Sequence, residues 1–221
     1  MRFLFSSIGK KIQIAISGIF LCIFLLFHLG NNITLFFGSH VFNSMVEMLE
    51  SVKPIIRVME FSLLGILLLH ISNAIYLTKK NKEQILSKYH AGLLNDSSSV
   101  NSRTMILTGT AILLFLLFHL SYVWYSYQIH DSLHSSDTFY TLLLQNKFGF
   151  LGHKLTAALY VIGILFIASH LKHGFESALK TFGIIKESKL KFLYNLSIIF
   201  WGIIPMGFII IIACIQLGVI K

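Results

Sequence analysis

FLLFHLGNNITLFF, residues 24–37, decides what kind of molecule this chain is. The apolar run around it reaches back to Ile12, and no charged side chain falls between Ile12 and Phe37. A segment of that length and composition crosses the roughly 30 Å hydrocarbon core of a bilayer as a helix. Yet it holds an imidazole, His28, where only hydrocarbon or packed side chains belong. An ionisable group inside a span marks a functional site by default, so the meaning of His28 turns on whether other spans repeat it.

The rest of the chain repeats the apolar run. Of its 221 residues, 55% are hydrophobic, 12% are charged and 20 are phenylalanine. Soluble domains carry about 25% charged residues, which excludes one here. Charge is nearly absent from five windows, at about 12–37, 55–78, 104–127, 154–176 and 195–217. The first is too long for a secretory leader and lacks a small-residue cleavage site. The sequence therefore predicts an all-α fold, a single transmembrane bundle of five helices over residues 1–221. It shows no separate soluble domain, glycine-rich phosphate loop or internal repeat.

Cys22 and Cys214 both lie in apolar runs. Alone they hold neither an iron–sulfur cluster nor a zinc finger, and they read as small buried hydrophobes. The net charge of +9 would suit nucleic acid, but its distribution argues against that partner. Five spans put the N-terminus and the 79–103 and 177–194 connections on one side. With the adjoining helix ends, that side carries 13 of the 18 basic residues, leaving Lys53, Arg57, Lys147, Lys154 and Lys221 for the other. The positive-inside bias then predicts a cytoplasmic N-terminus and an external C-terminus. A basic cytoplasmic face also suits anionic lipid or a docked protein.

Outside the spans, MRFLFSSIGKK (1–11) reads as a short interfacial segment. The apolar positions of residues 41–52 fit a short helix on the outer face, and Pro54 opens the second span, where proline costs least. Residues 96–102 look like a turn or cap before the third span, and the second external loop suits another short surface helix. Pro205 should kink the last span, or be accommodated there by its neighbours.

Ten histidines are present. His40, His90, His130, His134, His153 and His173 lie in loops or near span ends, while His28, His70, His119 and His170 lie within spans. At about 1.5 Å rise per residue, His28 is roughly 24 Å and His119 roughly 22 Å from the cytoplasmic ends of their spans. His70 and His170 are roughly 13 and 15 Å from that side. Two levels emerge, each with two histidines from different helices. Paired neutral imidazoles at one depth are what a bis-histidine haem needs, one nitrogen from each face of the porphyrin. Two such pairs would carry electrons across the membrane, and Gly30, Gly65 and Gly163 would make room for flat rings. Hydrogen-bonded packing, and metal or proton transport, are the competing readings. A transporter would more often show midplane carboxylates, and only Glu60 comes near, at an outer end.

Several phrases point further: FHLGNNITLFFG (27–38), HVFNSMVEMLES (40–51), HISNAIYLT (70–78), FLLFHLSYVWY (115–125) and SHLKHGFESALKTFGI (169–184). In order, spacing and topology the chain resembles the cytochrome b membrane anchor of the succinate:quinone oxidoreductase (succinate dehydrogenase / fumarate reductase) family. The form it resembles is the single-subunit, five-helix, dihaem type, and the likeness covers nearly the whole length. It implies two haem b groups with His28, His70, His119 and His170 as axial ligands. His28 pairs with His119 at the distal haem and His70 with His170 at the proximal one; His173, a turn away, competes with His170. It also implies a flavoprotein subunit carrying FAD and an iron–sulfur subunit on the cytoplasmic face. Electrons would pass through the two haems to a quinone, in this branch commonly menaquinone, at the inner membrane of a bacterium. In the tricarboxylic acid cycle this is complex II, whose anchor catalyses no carbon chemistry. The reverse reaction, fumarate reduction, is equally compatible, and so is a higher oligomer of the complex.

A quinone site beside the distal haem would draw on Glu60, Glu50, His40, Arg57 and His153. Glu60 leads because it lies a turn inside an apolar span, where a carboxylate is suited to proton exchange. The plainer reading of each is a solvated or headgroup-level side chain. A histidine-bearing transporter, a structural anchor without haem and a dihaem cytochrome serving another dehydrogenase are the alternatives.

Overall fold

The computed structural model describes residues 2–90, 100–130, 138–183 and 190–221. His134, residues 96–99 of the expected cap region and parts of the connections near 131–137 and 184–189 lie outside the described residues. Among the described residues every regular element is helical. In order they are α1 (Arg2–Phe5), α2 (Ser7–Ile33), a 3-10 turn (Thr34–Phe37), α3 (Gly38–Ser51) and α4 (Lys53–His90). Then come α5 (Val100–His119), a π turn (Leu120–Trp124), α6 (Tyr125–His130), α7 (Phe139–Leu144) and α8 (Lys154–Thr181). The last are α9 (Leu190–Ile198), a second π turn (Ile199–Ile203) and α10 (Ile204–Gln216). Five of these stretches are long and apolar enough to cross a membrane: α2, α4, α5 with α6, α8, and α9 with α10.

Helix ends depart from the expected spans for local reasons. The first helix starts at Ser7 rather than Ile12, because Ser6 caps it by accepting from the Gly9 N–H at 3.1 Å. Lys10 therefore sits within a helix, its long stem carrying the ammonium to Asn73 Oδ1 at 3.1 Å and over the Tyr76 ring at 4.5 Å. At the far end of the second span, KKNKEQILSK (79–88) continues α4 to His90, because lysine, glutamate, glutamine and leucine are good helix formers. The 79–103 and 177–194 connections are thus shorter than expected, with helix resuming at Val100 and persisting to Thr181. Hydropathy marks where the apolar stretch ends; the helix runs on.

The surface helices expected from sequence are α3 and α7. A positive φ of 85° at Gly38 turns the corner into α3, a conformation open to glycine at no steric cost. Phe42 then docks against Phe139 and Tyr140 of α7, with ring centroids 6.2 and 5.8 Å apart. Pro54 is the second residue of α4, where its missing N–H costs nothing. In the last span, proline cannot donate to the carbonyl four residues back and its ring crowds that group. The chain answers with the π turn at Ile199–Ile203, after which α10 begins with Pro205 buried in its first turn.

The helices run up and down. Lys80 Nζ reaches Ser7 Oγ at 2.8 Å at the end carrying the N-terminus, while Arg57 of α4 meets Gln128 of α6 at the other. Centrally, α2 packs on α4, α8 and α10, and α5 on α8. Leu29, Tyr160, Ile164, Ile204 and Ile211 form the core where α2, α8 and α10 meet. The perimeter is apolar and exposed, with Phe27 at 72%, Phe61 at 71% and Leu107 at 66%. That is the surface of a bundle solvated by lipid, whose backbone polar groups are satisfied within the helices.

Candidate histidine-lined cavity

One cavity of about 2920 Å³ runs between α2, α4, α5 and α8, and all four in-span histidines line it. Pockets for drug-sized ligands measure roughly 300–1,000 Å³, so this space holds more than one large group. The histidines meet in the pairs expected from their depths. His28 of α2 and His119 of α5 have ring centroids 5.8 Å apart, at 78°. His70 of α4 and His170 of α8 stand 6.5 Å apart, at 67°.

Those separations test whether the pairs fit a metal held from two sides. A metal–imidazole bond of ~2.0–2.1 Å, added to ~1.1 Å from nitrogen to the centroid of a ring with ~1.33 Å bonds, places trans imidazoles with centroids ~6.3 Å apart. The observed values bracket that figure. Among the described residues no three His, Cys, Asp or Glu side chains converge. A pair of facing imidazoles is the protein's share of a bis-histidine haem, whose porphyrin brings the other ligands. The residues fit haem.

Each pair is built differently. His70 Nδ1 lies 3.0 Å from Ser17 Oγ on α2, and His170 Nδ1 lies 3.1 Å from Thr108 Oγ1 on α5. Both rings pass beside a glycine: a Cβ on Gly18 or Gly109 would touch His70 Cε1 at 3.4 Å or His170 Cε1 at 3.5 Å. With Nδ1 engaged, Nε2 is the nitrogen left for a ligand. In the other pair, His119 Nδ1 lies 3.1 Å from the Tyr160 hydroxyl. Phe24 stacks on His28 at 5.5 Å and Phe115 on His119 at 6.1 Å.

These correspondences expose a repeat, correcting the expectation of none. ISGIFLCIFLLFHL (16–29) and LTGTAILLFLLFHL (107–120) share the hydroxyl–glycine pair and an identical FLLFHL. Eleven residues separate Ser17 from His28 and Thr108 from His119. At 3.6 residues per turn this returns to nearly the same face, and at 1.5 Å per residue it climbs ~16 Å. Both histidine levels are therefore set by one spacing used twice. The repeated hexapeptide was the signal for Ser17 and Thr108, which sequence reasoning missed.

A polar cluster stands level with the His28–His119 pair, since Glu60 precedes His70 on α4 by ten residues, or ~15 Å. Glu60 accepts from Arg57 at 2.7 Å, Trp124 Nε1 at 3.0 Å and Gln128 Nε2 at 3.4 Å. Arg57 also donates to Gln128 Oε1. Tyr127 lines the cavity on the same helix as Gln128. Of the five expected quinone-site residues, Glu60 and Arg57 are thus joined. His40 is exposed on α3. His153 caps α8 instead, accepting from the Thr156 N–H at 3.4 Å. Trp124 and Gln128 were not foreseen; Trp124 closes the π turn that follows His119, and Gln128 lies on α6 just beyond it.

Two further points adjust expectation. Gly30 lines the cavity with open space beside it, but Gly65 is exposed and off the lining, and Gly163 makes room for the Phe115 ring. Asn31, a turn beyond His28, lines the cavity with its Oδ1 buried and without a hydrogen-bond partner. A buried acceptor left unpaired is costly, and a donor carried by a ligand would satisfy it. His173 also lines the cavity, on the same helix as His170. Comparisons of the chain with protein-family models, curated proteins and solved structures find no match.

Proposed function

We propose that this chain is a dihaem cytochrome b and serves as the quinone-reactive membrane anchor of a succinate:quinone oxidoreductase. The observation that carries the reading is the facing of His28 with His119 and of His70 with His170 across one apolar cavity, at metal-bridging separation. Haem b bound there supplies one-electron redox chemistry at its iron. The chain's own part would be to hold each group between two histidines, at levels set by the eleven-residue spacing of Ser17 with His28 and of Thr108 with His119. Two such centres make a path across most of the bilayer.

The finer assignment rests on the resemblance of the sequence. In it, a flavoprotein subunit with FAD and an iron–sulfur subunit dock on the basic, cytoplasmic end of a bacterial inner membrane. Electrons reach the His70–His170 centre first and the His28–His119 centre second. The quinone, menaquinone by the same resemblance, reacts beside the latter. Glu60 and Arg57 provide proton-exchanging and charged groups there, and Asn31 Oδ1 offers an acceptor to a quinol hydroxyl. Succinate oxidation and fumarate reduction use the same parts.

A dithionite-reduced minus air-oxidised spectrum of the gently purified membrane complex, with haem quantified per chain, tests this directly. Two six-coordinate b haems per chain are expected, partly reducible by succinate, and His70→Ala removes one of them. A colourless protein in which His70→Ala abolishes transport of an ion would replace the cytochrome with a transporter.

A further inference from the structure

Ser17 and Thr108 occupy equivalent places in the repeated helix, and their single hydroxyl protons are already committed. Ser17 Oγ lies 2.7 Å from Gln13 O and 3.1 Å from Ile14 O. Thr108 Oγ1 lies 2.9 Å from Thr104 O and 3.2 Å from Met105 O. Hydroxyls in helices habitually donate to carbonyls three or four residues back. Each oxygen then has a lone pair facing the neighbouring imidazole, the arrangement in which Nδ1 of His70 and of His170 is the donor. Both side chains are buried, Ser17 at 3% exposure and Thr108 at 6%, so water does not compete for them. Gly18 and Gly109 let each ring lie against the helix at van der Waals distance, and anything larger than a methyl group there would push it off its hydroxyl.

From this we propose that Ser17 and Thr108 are paired positioning residues for a single metal centre, the one held by His70 and His170, and that they set its redox potential from both sides. The inference rests on the haem reading above. A donated Nδ1–H fixes the ring and makes the opposite nitrogen a more basic ligand, and a more basic ligand favours ferric over ferrous iron. The His28–His119 centre has a different shell. There the Tyr160 hydroxyl lies beside His119 Nδ1, and His28 is flanked by the rings of Phe24 and Phe208. Removing the two hydroxyls should therefore act on one haem and spare the other.

The test is a potentiometric titration of both haem bands in the intact complex, for Ser17→Ala, Thr108→Val and the conservative Ser17→Thr and Thr108→Ser. Each hydroxyl deletion is expected to leave two haems and to raise the potential of the same one. A tenfold loss of preference for ferric iron, the lower end of second-shell effects, corresponds to about 59 mV for one electron. The conservative variants should titrate as wild type. Loss of that haem alone, restored in the conservative variants, would make the hydroxyls holders of the ligand and overturn the claim that they set its potential. Unchanged potentials with two haems present, or deletions that shift different haems, overturn the proposal while leaving the cytochrome reading standing. A wild-type complex without haem removes the cytochrome reading itself, and the proposal with it.

Discussion

A methyl group added at Gly163 should disable one histidine pair and leave the other intact. Gly163 is buried on α8 with the Phe115 ring against its α-carbon. A Cβ there would lie 2.6 Å from Phe115 Cγ and 2.9 Å from Cε2, whereas carbon atoms rest at ~3.5–4.0 Å. The ring must therefore retreat by about 1 Å. It has little choice of direction, since Tyr160 holds it edge-on at 5.2 Å and His119 stacks on it at 6.1 Å. Phe115 lines the cavity, so the displaced ring enters the space in front of His119. Overpacking of this kind costs about 1–3 kcal/mol. For Gly163→Ala, thermal unfolding should show that loss, and haem per chain should fall from two towards one as the His28–His119 centre empties. Gly65→Ala on α4 is the control, because its added methyl meets nothing within 4 Å. It should gain about 0.5–1 kcal/mol from helix propensity. If Gly163→Ala kept two haems and melted no lower than Gly65→Ala, the packing of Phe115 against α8 would be refuted.

The polar cluster separates a proton carrier from a strut. Glu60→Gln keeps a side-chain oxygen for Trp124 and a similar shape, so the haem spectrum should be unchanged and the melting temperature nearly so; quinone-linked turnover should fall more than about tenfold, as expected when an acid–base group is removed. Turnover within twofold of wild type would leave Glu60 as a tie between α4 and α6. At His153 the capping geometry predicts that alanine costs about 0.5–2 kcal/mol of stability and that serine recovers most of it. A turnover defect in His153→Ser with stability restored would return His153 to the quinone site. Tyr140→Phe removes the hydrogen bond to the Lys221 carbonyl and should lower stability by about 1 kcal/mol without touching either haem band.

The parts of the molecule legible in sequence are those written by hydrophobicity and depth. Charge-free windows located the five crossing helices, and counting residues paired His28 with His119 and His70 with His170; helical rise ranks depths correctly, but counting from unequal span ends put the two levels closer than the eleven-residue ladder sets them. Helix ends were not legible, since capping by Ser6 and the snorkelling stem of Lys10 extend a helix past the last apolar residue. The π turn after His119 was invisible as well; nothing in LSYVW announces it, yet it ends on Trp124, a hydrogen-bond partner of Glu60. His153 misled for a general reason. A histidine near a span end is equally at home as a cap, a headgroup contact or a proton carrier, and only its Thr156 partner decides among them.

The repeat explains why depth counting succeeded. Helices α2 and α5 run in the same direction, and each carries the same ladder: a hydroxyl, a glycine, then eleven residues past the hydroxyl a histidine on the same face. Each hydroxyl receives a histidine from the antiparallel partner of its own hairpin, α4 for Ser17 and α8 for Thr108. One level is therefore made of the ladders' own histidines and the other of the partners' histidines. Matching the levels requires only that the two ladders stand at equal height. A one-residue insertion between Thr108 and His119 would raise His119 by about 1.5 Å and rotate it about 100° off the shared face. The same insertion after His119 falls where the π turn already absorbs an irregular residue. The symmetry is thus strict between the two levels and relaxed beyond them, where α2 ends in a 3-10 turn and α5 in a π turn. It is also there, at and past the second level, that Glu60, Asn31 and Trp124 break the likeness of the two halves. Paired histidines call for two like halves, whereas a site for a single asymmetric ligand calls for unlike ones.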